Sequence, residues 1–322
     1  MPRKKNKNKT ARTASLSGFE QAWENLQAQR ATQTEPPPMV SGRWLLAAGA
    51  LAILAAGACA WGALCFLFWQ GSWQLLYHPA GPVTRTPASV GLAFDPVGFA
   101  TTGAGEQRLK GWWIPADAES TYARYTVLYL HGQDGNLSDA LDALAELHGL
   151  GLNVLAFDYR GYGQSRFEHP SETRLREDAE WAIAYLTATR GVAAGEIVLD
   201  GSALGANLAL EVAAAHPELA GVVIEEPAQE PMKAIFADPR AGLVPAKLLV
   251  RDRWELGEAA KQVRMPVLWM SFSGGRAAAV PKGLRIETEA PTMRVWLTDR
   301  DLKTGARAKA LSRWLDDLPA RH

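Results

Sequence analysis

The sequence predicts an α/β domain, a mostly parallel sheet covered by helices on both faces, preceded by one N-terminal transmembrane helix. Three observations predict it. From about residue 97, short β-branched and apolar runs alternate with helical segments. Trp44–Trp69 runs for 26 residues without a charge. Ile197–Gly205 reads as a buried strand, a glycine-bounded turn and the start of a helix.

The 322 residues carry 34 basic and 34 acidic side chains, unevenly placed. Residues 1–43 hold eight Lys/Arg against three acids, leaving the remainder acidic. The run Pro2–Lys9 has the composition of a nucleic-acid patch, but beside a span it reads as a topogenic signal, and no nucleic-acid partner is expected. Glu20–Ala31 is expected to form a short helix, with Pro36-Pro37-Pro38 beyond it and the rest of the tail disordered.

A bilayer core needs about 20 apolar residues, so Trp44–Trp69 is long enough to bind and cross a lipid bilayer. Trp44, Trp61, Trp69 and Trp73 suit an aromatic belt at its two ends. Arg43 abuts the N-terminal end, and no basic residue follows the span until Arg85. The positive-inside rule therefore puts the tail in the cytoplasm and the main domain on the outer side, periplasmic or extracellular. The competing reading is a cleaved signal peptide, with Ala58-Cys59-Ala60 as its cleavage site. Its n-region would cover residues 1–43, unusually long for such a signal. Both cysteines, Cys59 and Cys65, lie inside the span, which excludes a disulfide, a thiol nucleophile and a Cys-based zinc site from the main domain. No cofactor and no metal are expected, because no His/Asp/Glu group has ligand spacing.

The expected organisation is a tail over 1–43, a span over 44–69, a Pro/Gly-rich link over 70–96 and the α/β domain over 97–320. Strands are expected at Leu109–Ile114, Thr126–Leu130, Asn153–Phe157, Ile197–Leu199, Gly221–Ile224, Pro266–Met270 and Met293–Leu297. Helices are expected at Asp139–His148, Leu175–Arg190, from the turn to before Pro217, and at Ala306–Leu318. The stretch 227–262, with four prolines, breaks the alternation where a cap can sit.

The turn reads Gly201-Ser202-Ala203-Leu204-Gly205. Strand, tight turn and helix are the setting of the nucleophile elbow G-x-S-x-G, whose strained centre pushes a serine into the site. Here the centre is Ala203, and a methyl group cannot attack a carbonyl. His131-Gly132-Gln133-Asp134-Gly135-Asn136 follows a strand, where a loop can donate a backbone N–H to an oxyanion hole. The second donor would be the backbone N–H of Leu204. Asp134 and Asn136 are read as shaping that loop, and the Gly-rich turn Asp158–Ser165 as structural.

With LYHP, LKGWWIP, LYLHGQDGN, LAFDYRGYGQS and GSALG in this order, the chain resembles the membrane-anchored branch of the α/β-hydrolase (abhydrolase-domain) family. The resemblance covers about Leu75–Glu226 and, more loosely, the C-terminal third. It implies the α/β-hydrolase fold and a serine hydrolase acting on esters, thioesters or amides, often lipidic. It also implies an Asp after a later strand and a His after the last strand.

Neither partner stands where the resemblance places it. Of six histidines only His216 and His322 follow the elbow; His216 reads as an exposed helix-terminal residue and His322 ends the chain. The loop Thr298–Leu302 has no imidazole, and Ser271–Pro281 has no carboxylate. A laboratory Ser→Ala substitution would leave Asp and His intact, so the pattern is that of a decayed site. Ser202, one residue from the centre, is a substitute nucleophile without a base. His169 and the pair Asp299 and Asp301 read as solvated loop residues, while Glu225-Glu226 end a strand at the face where α/β sheets bind ligands. The candidate ligand-binding set around the oxyanion position is His131, Gly132, Gln133 and Leu204.

Two readings follow. One is a pseudo-hydrolase, a binding or scaffolding module that keeps a site for a small acyl or lipid-like ligand. The other is an active or weakly active serine esterase on ester, thioester or lipid-like substrates. The oligomeric state is left open.

Overall fold

The computed structural model describes residues 8–32, 39–273, 290–298, 301 and 303–319. The chain divides into two compact units, Met1–Gly62 and Ala63–His322. In the first, helix α1 covers Asn8–Thr32, a longer helix than the one expected over Glu20–Ala31. Its Gln and Glu, all between residues 20 and 29, with Ala22, Ala28 and Ala31, favour helix in its second half.

Helix α2, Gly42–Gly71, starts where the Trp44 N–H bonds the Ser41 hydroxyl (3.2 Å) and carbonyl. With an 18-residue window of mean hydropathy 2.2, little of it buried, it is long and apolar enough to cross a membrane. Its last nine residues belong to the second unit, where Phe68 is buried and Leu64 and Cys65 pack against the core. That unit begins within the apolar helix.

The strands in chain order are β1 His78–Pro79, β2 Asp95–Thr101, β3 Gln107–Ile114, β4 Thr126–Leu130, β5 Asp134–Gly135, β6 Asn153–Asp158, β7 Ile197–Ser202, β8 Gly221–Glu225, β9 Val267–Ser273 and β10 Thr292–Thr298. Eight form one sheet in the order β10-β9-β8-β7-β4-β6-β3-β2. Pairing is parallel from β10 to β6, and β3 runs antiparallel to both its neighbours. β4 and β8 are buried at every position, as near-continuous apolar runs require when helices cover both faces. This is the α/β-hydrolase fold the motifs imply.

Helices α3 Leu141–Gly149, α4 Glu172–Ala184 and α5 Leu204–Ala215 follow β4, β6 and β7. Alternation along the strands splits the core. Leu199, Val222 and Leu208 of α5 lie in one cluster, while Val198, Val223, Leu144 of α3 and Leu311 and Trp314 of the closing helix Ala306–Asp316 lie in the other. The stretch 227–262 carries three short helices, α6 Lys233–Phe236, α7 Ala246–Leu249 and α8 Leu256–Gln262. Its Trp254 is buried at φ 50°, and its indole N–H donates to the Tyr77 hydroxyl at 3.1 Å.

The Asp158–Ser165 turn is a structural knot. Asp158 accepts from the Leu137 N–H (3.0 Å), and the Ser165 hydroxyl returns to the Asp158 carbonyl (2.5 Å). Burial pushes the Asp158 carboxyl up to about 6, against the backbone bonds from Leu137 and Gln164. The buried Arg160 ties this turn to α4 through Asp178 (2.6 Å) and Glu177 (2.7 Å).

Candidate functional site

The elbow keeps its shape without its nucleophile. β7 delivers the chain to Ala203, which holds φ 51° and ψ −119°, and α5 starts at the next residue. Few non-glycine residues adopt positive φ, and a position outside the favoured regions costs about 1–3 kcal/mol. The flanking glycines make the turn possible. A Cβ on Gly201 would fall on the Gly205 carbonyl, and one on Gly205 would fall on the Leu130 and His131 carbonyls. The helix thus packs directly on the strand ends, and Ala203 keeps the strained backbone a nucleophile would need. Ala203→Gly is expected to raise stability by about 1 kcal/mol, relief of strain exceeding the entropy glycine adds to the unfolded chain. Thermal unfolding checks this as a Tm increase of about 2–4 °C.

The loop after β4 meets the elbow. Gly132 lies against it, and a Cβ there would be 3.3 Å from the Ala203 methyl. The Leu204 N–H, expected as an oxyanion donor, gives its proton to the Gln133 side-chain Oε1 at 3.3 Å. The Gln133 carbonyl is pinned by the His78 N–H and the Tyr162 hydroxyl, each at 2.8 Å. The Gln133 N–H makes no hydrogen bond to a described residue, leaving it free as a second donor. One donor is therefore filled by the protein's own amide and one is open.

His131 does not join Gly132, Gln133 and Leu204. Its ring is buried against Tyr159 (4.3 Å between centroids), and its Nδ1–H donates to the Gly132 carbonyl at 2.8 Å. Burial pushes its pKa down to about 4, outweighing the bond to Gly132, so the imidazole is neutral. Its Nε2 makes no hydrogen bond and lies 3.9 Å from Asp158, beyond bonding distance. The side chain shapes the loop from beneath.

Most of the remaining candidates are engaged elsewhere. The Ser202 hydroxyl hydrogen-bonds to no described residue, so no base among the described residues holds it. His216 is not the exposed terminus expected: it lies between Glu180 and Glu218, 2.7 Å from each. Burial opposes its charge, but the bonds to Glu218 and Glu180 outweigh burial and raise its pKa. Glu225, expected as a ligand contact, is buried under Arg307 at 2.5 and 2.9 Å; a strand-end carboxylate on the inner face needs a cation, and the closing helix supplies it. Glu226 is exposed at φ 45° and accepts from the Phe272 N–H. Asp134 pairs with His78 at 2.7 Å, and Asn136 caps the turn Leu137–Asp139, so both shape the loop as read. Asp301 accepts from the Thr298 N–H (2.8 Å) and hydroxyl (2.7 Å). His169 is not a solvated loop side chain but stacks on Trp73 at 4.8 Å. Residues 274–281, Asp299, Arg300, Leu302 and His322 lie outside the described residues.

Two roles escaped the sequence. Gln133 acts through its side chain as well as its backbone, which no spacing reveals. Arg307 had a signal: it falls on the stripe of Leu311, Trp314 and Leu315, and a charge on a buried stripe requires a buried partner.

A family model described as "Serine aminopeptidase, S33" matches residues 121–275, which hold the loop and the elbow. The Mycobacterium tuberculosis protein Rv2307c is 31% identical over 236 residues, covering 73% of this chain and 80% of that protein. The chain belongs to the α/β-hydrolase family. Protein bem46 of Schizosaccharomyces pombe is 27% identical over 162 residues, 49% of this hydrolase-family chain and 54% of its own. Among solved structures, the Pyrococcus furiosus esterase Pf2001 matches with a TM-score of 0.58 at 19% identity, over 76% of this chain and 98% of that one. An alpha-beta hydrolase from Vibrio vulnificus matches with a TM-score of 0.51 at 23% identity, over 70% and 82%. At these identities the structural matches carry the fold alone. Within this family the chain departs at the elbow centre, Ala203.

Proposed function

We propose that this protein is a membrane-anchored pseudo-hydrolase, a binding or scaffolding module built on a hydrolase fold. The observation that carries the reading is the elbow: its backbone strain and glycines persist around a methyl group, and its helix-side donor is held by Gln133. Ser202 has no base among the described residues, so its hydroxyl lacks activation. The free Gln133 N–H and the Leu204 N–H, once Gln133 swings away, suit the carboxylate or carbonyl of a small acyl ligand. In this reading α2 anchors the chain, with the basic tail on the cytoplasmic side and the main domain outside.

A second reading, a weak esterase, is favoured by the open Gln133 N–H and by a Leu204 N–H covered only by a side chain, since a site with oxyanion donors retains roughly 10³–10⁴-fold rate over water without a complete triad. Labelling by a fluorophosphonate separates the two, because it needs an activated nucleophile. Full-length wild type and Ala203→Ser, treated with the probe and with p-nitrophenyl esters, are both expected to remain unlabelled. Labelling of wild type that Ser202→Ala abolishes would establish the esterase instead. Labelling of Ala203→Ser alone would show that a base survives.

A further inference from the structure

We propose that a cleft beside the end of α2 binds the phosphate of a glycerophospholipid headgroup. The proposal rests on reading α2 as a bilayer span. The cleft has a volume of about 660 Å³ and is lined by Trp69 and Trp73, by His169 before α4 and Arg174 in its first turn, and by Arg251 from the stretch between β8 and β9. None of Gly132, Gln133, Ala203 or Leu204 lines it, so it is separate from the elbow site.

Its position follows from helix length. α2 has 30 residues, about 45 Å at 1.5 Å per residue, whereas a bilayer core is about 30 Å thick. Twenty residues counted from Trp44 exhaust that core at Ala63, where the second unit begins. Trp69 stands about 9 Å further along the axis, at headgroup depth, where tryptophan is favoured. A cleft walled by Trp69 and Trp73 therefore opens among phosphates.

The chemistry of the wall matches. Arg160 also lines the cleft but is committed to Asp178 and Glu177, with Glu168 at 3.3 Å. The two glutamates share the cleft: Glu177 is held by Arg160, and Glu168 is shared among Arg160, Arg174 and Arg166, at 3.3, 3.4 and 3.9 Å. Asp252, its third carboxyl, accepts from the Tyr77 hydroxyl at 2.5 Å; burial raises its pKa. Arg174 donates through Nη1 to the His169 carbonyl at 2.8 Å and pairs through Nε with Glu168 at 3.4 Å, which leaves its Nη2. Arg251 is exposed and has no ion-pair partner among the described residues. Two guanidiniums thus retain donors for phosphate oxygens, which they bind as planar forks. The Trp73–His169 stack, 4.8 Å apart and 25° from parallel, gives an apolar edge for the glycerol and the first acyl carbons.

The test uses the full chain in a non-ionic, phosphate-free detergent, titrated with phosphatidylglycerol, with diacylglycerol of the same acyl chains, and with inorganic phosphate, while thermal unfolding is followed. Phosphatidylglycerol is expected to raise Tm in a saturable way, and neither other probe is. Arg251→Gln, which breaks no bond in the structure, should weaken phosphatidylglycerol binding about tenfold without changing Tm in lipid-free detergent. Adding Arg174→Gln should weaken it further. Equal shifts with diacylglycerol, or unchanged affinity in both variants, would overturn the proposal. An equal response to inorganic phosphate would reassign the cleft to a soluble phosphate. Carbonate washing of membranes reports on the span separately: release of the full chain would remove the span reading and this proposal with it. Retention without a phospholipid response would remove this proposal alone.

Discussion

Arg307→Met is expected to destabilise the main domain by about 3–5 kcal/mol, the cost of leaving buried carboxylates without their cation. The guanidinium binds Glu225 at 2.5 and 2.9 Å, Glu146 at 3.0 Å and Asp200 at 3.3 Å, and Arg307, Glu225 and Asp200 are all buried. These groups join the closing helix to β7, β8 and α3, so the loss spreads across one whole face of the sheet. Three carboxyl groups face one guanidinium, and the surplus negative charge falls on Asp200. Burial and the neighbouring Glu225 raise its pKa well above the usual carboxylate range, although Arg307 opposes this. The sign of the pH dependence follows. A carboxyl whose folded pKa exceeds its unfolded value holds its proton more tightly when folded, so its contribution falls as pH rises above about 4. Without Arg307 the carboxyls must be neutralised by protons alone. The deficit of Arg307→Met against wild type should therefore be larger at pH 8 than at pH 5. Denaturant unfolding of the solubilised full chain at both values measures it, and a deficit independent of pH would show that the guanidinium acts by packing instead.

Gly205→Ala is expected to cost about 3 kcal/mol or more and to prevent accumulation of folded protein. The new Cβ would fall on the backbone carbonyl oxygens of Leu130 and His131, which cannot turn aside as a side chain would. To make room, α5 would have to lift from β4, separating Leu204 from Gln133 and opening the core below. Gly257→Ala is the control, because a Cβ there meets nothing within 4 Å and alanine favours helix; its Tm should stay or rise. Circular dichroism melts of the two variants beside wild type decide it. A Gly205→Ala protein with wild-type Tm would mean that the elbow is not the rigid junction described.

The elbow was legible because its signals are local. Val198 and Leu199 mark a buried strand, Gly201 and Gly205 mark a close crossing of strand and helix, and Ala203 shows at once that the nucleophile is missing. The loop His131–Asn136 was legible for the same reason. Its parts fared differently, however, since a motif places backbone and cannot say which way a side chain turns. Thus the motif groups His131 with the ligand set, whereas its ring is buried beneath the loop. The strand end places Glu225 at the ligand face, whereas its side chain faces Arg307, 82 residues further along the chain.

By itself the sequence determined the sheet, the apolar helix, the order of the motifs and the absence of a nucleophile at the elbow. Each of these is a property of periodicity, of hydropathy, or of one residue in a local turn. Only the tertiary structure decided that Gln133 fills the Leu204 donor, that Arg307 neutralises Glu225, and that the end of α2 shares a cleft with Arg174 and Arg251. Those outcomes join residues 71, 82 and more than 100 positions apart. No local pattern encodes such pairings, because they are set by which elements the sheet brings side by side and by the need of every buried charge for a partner.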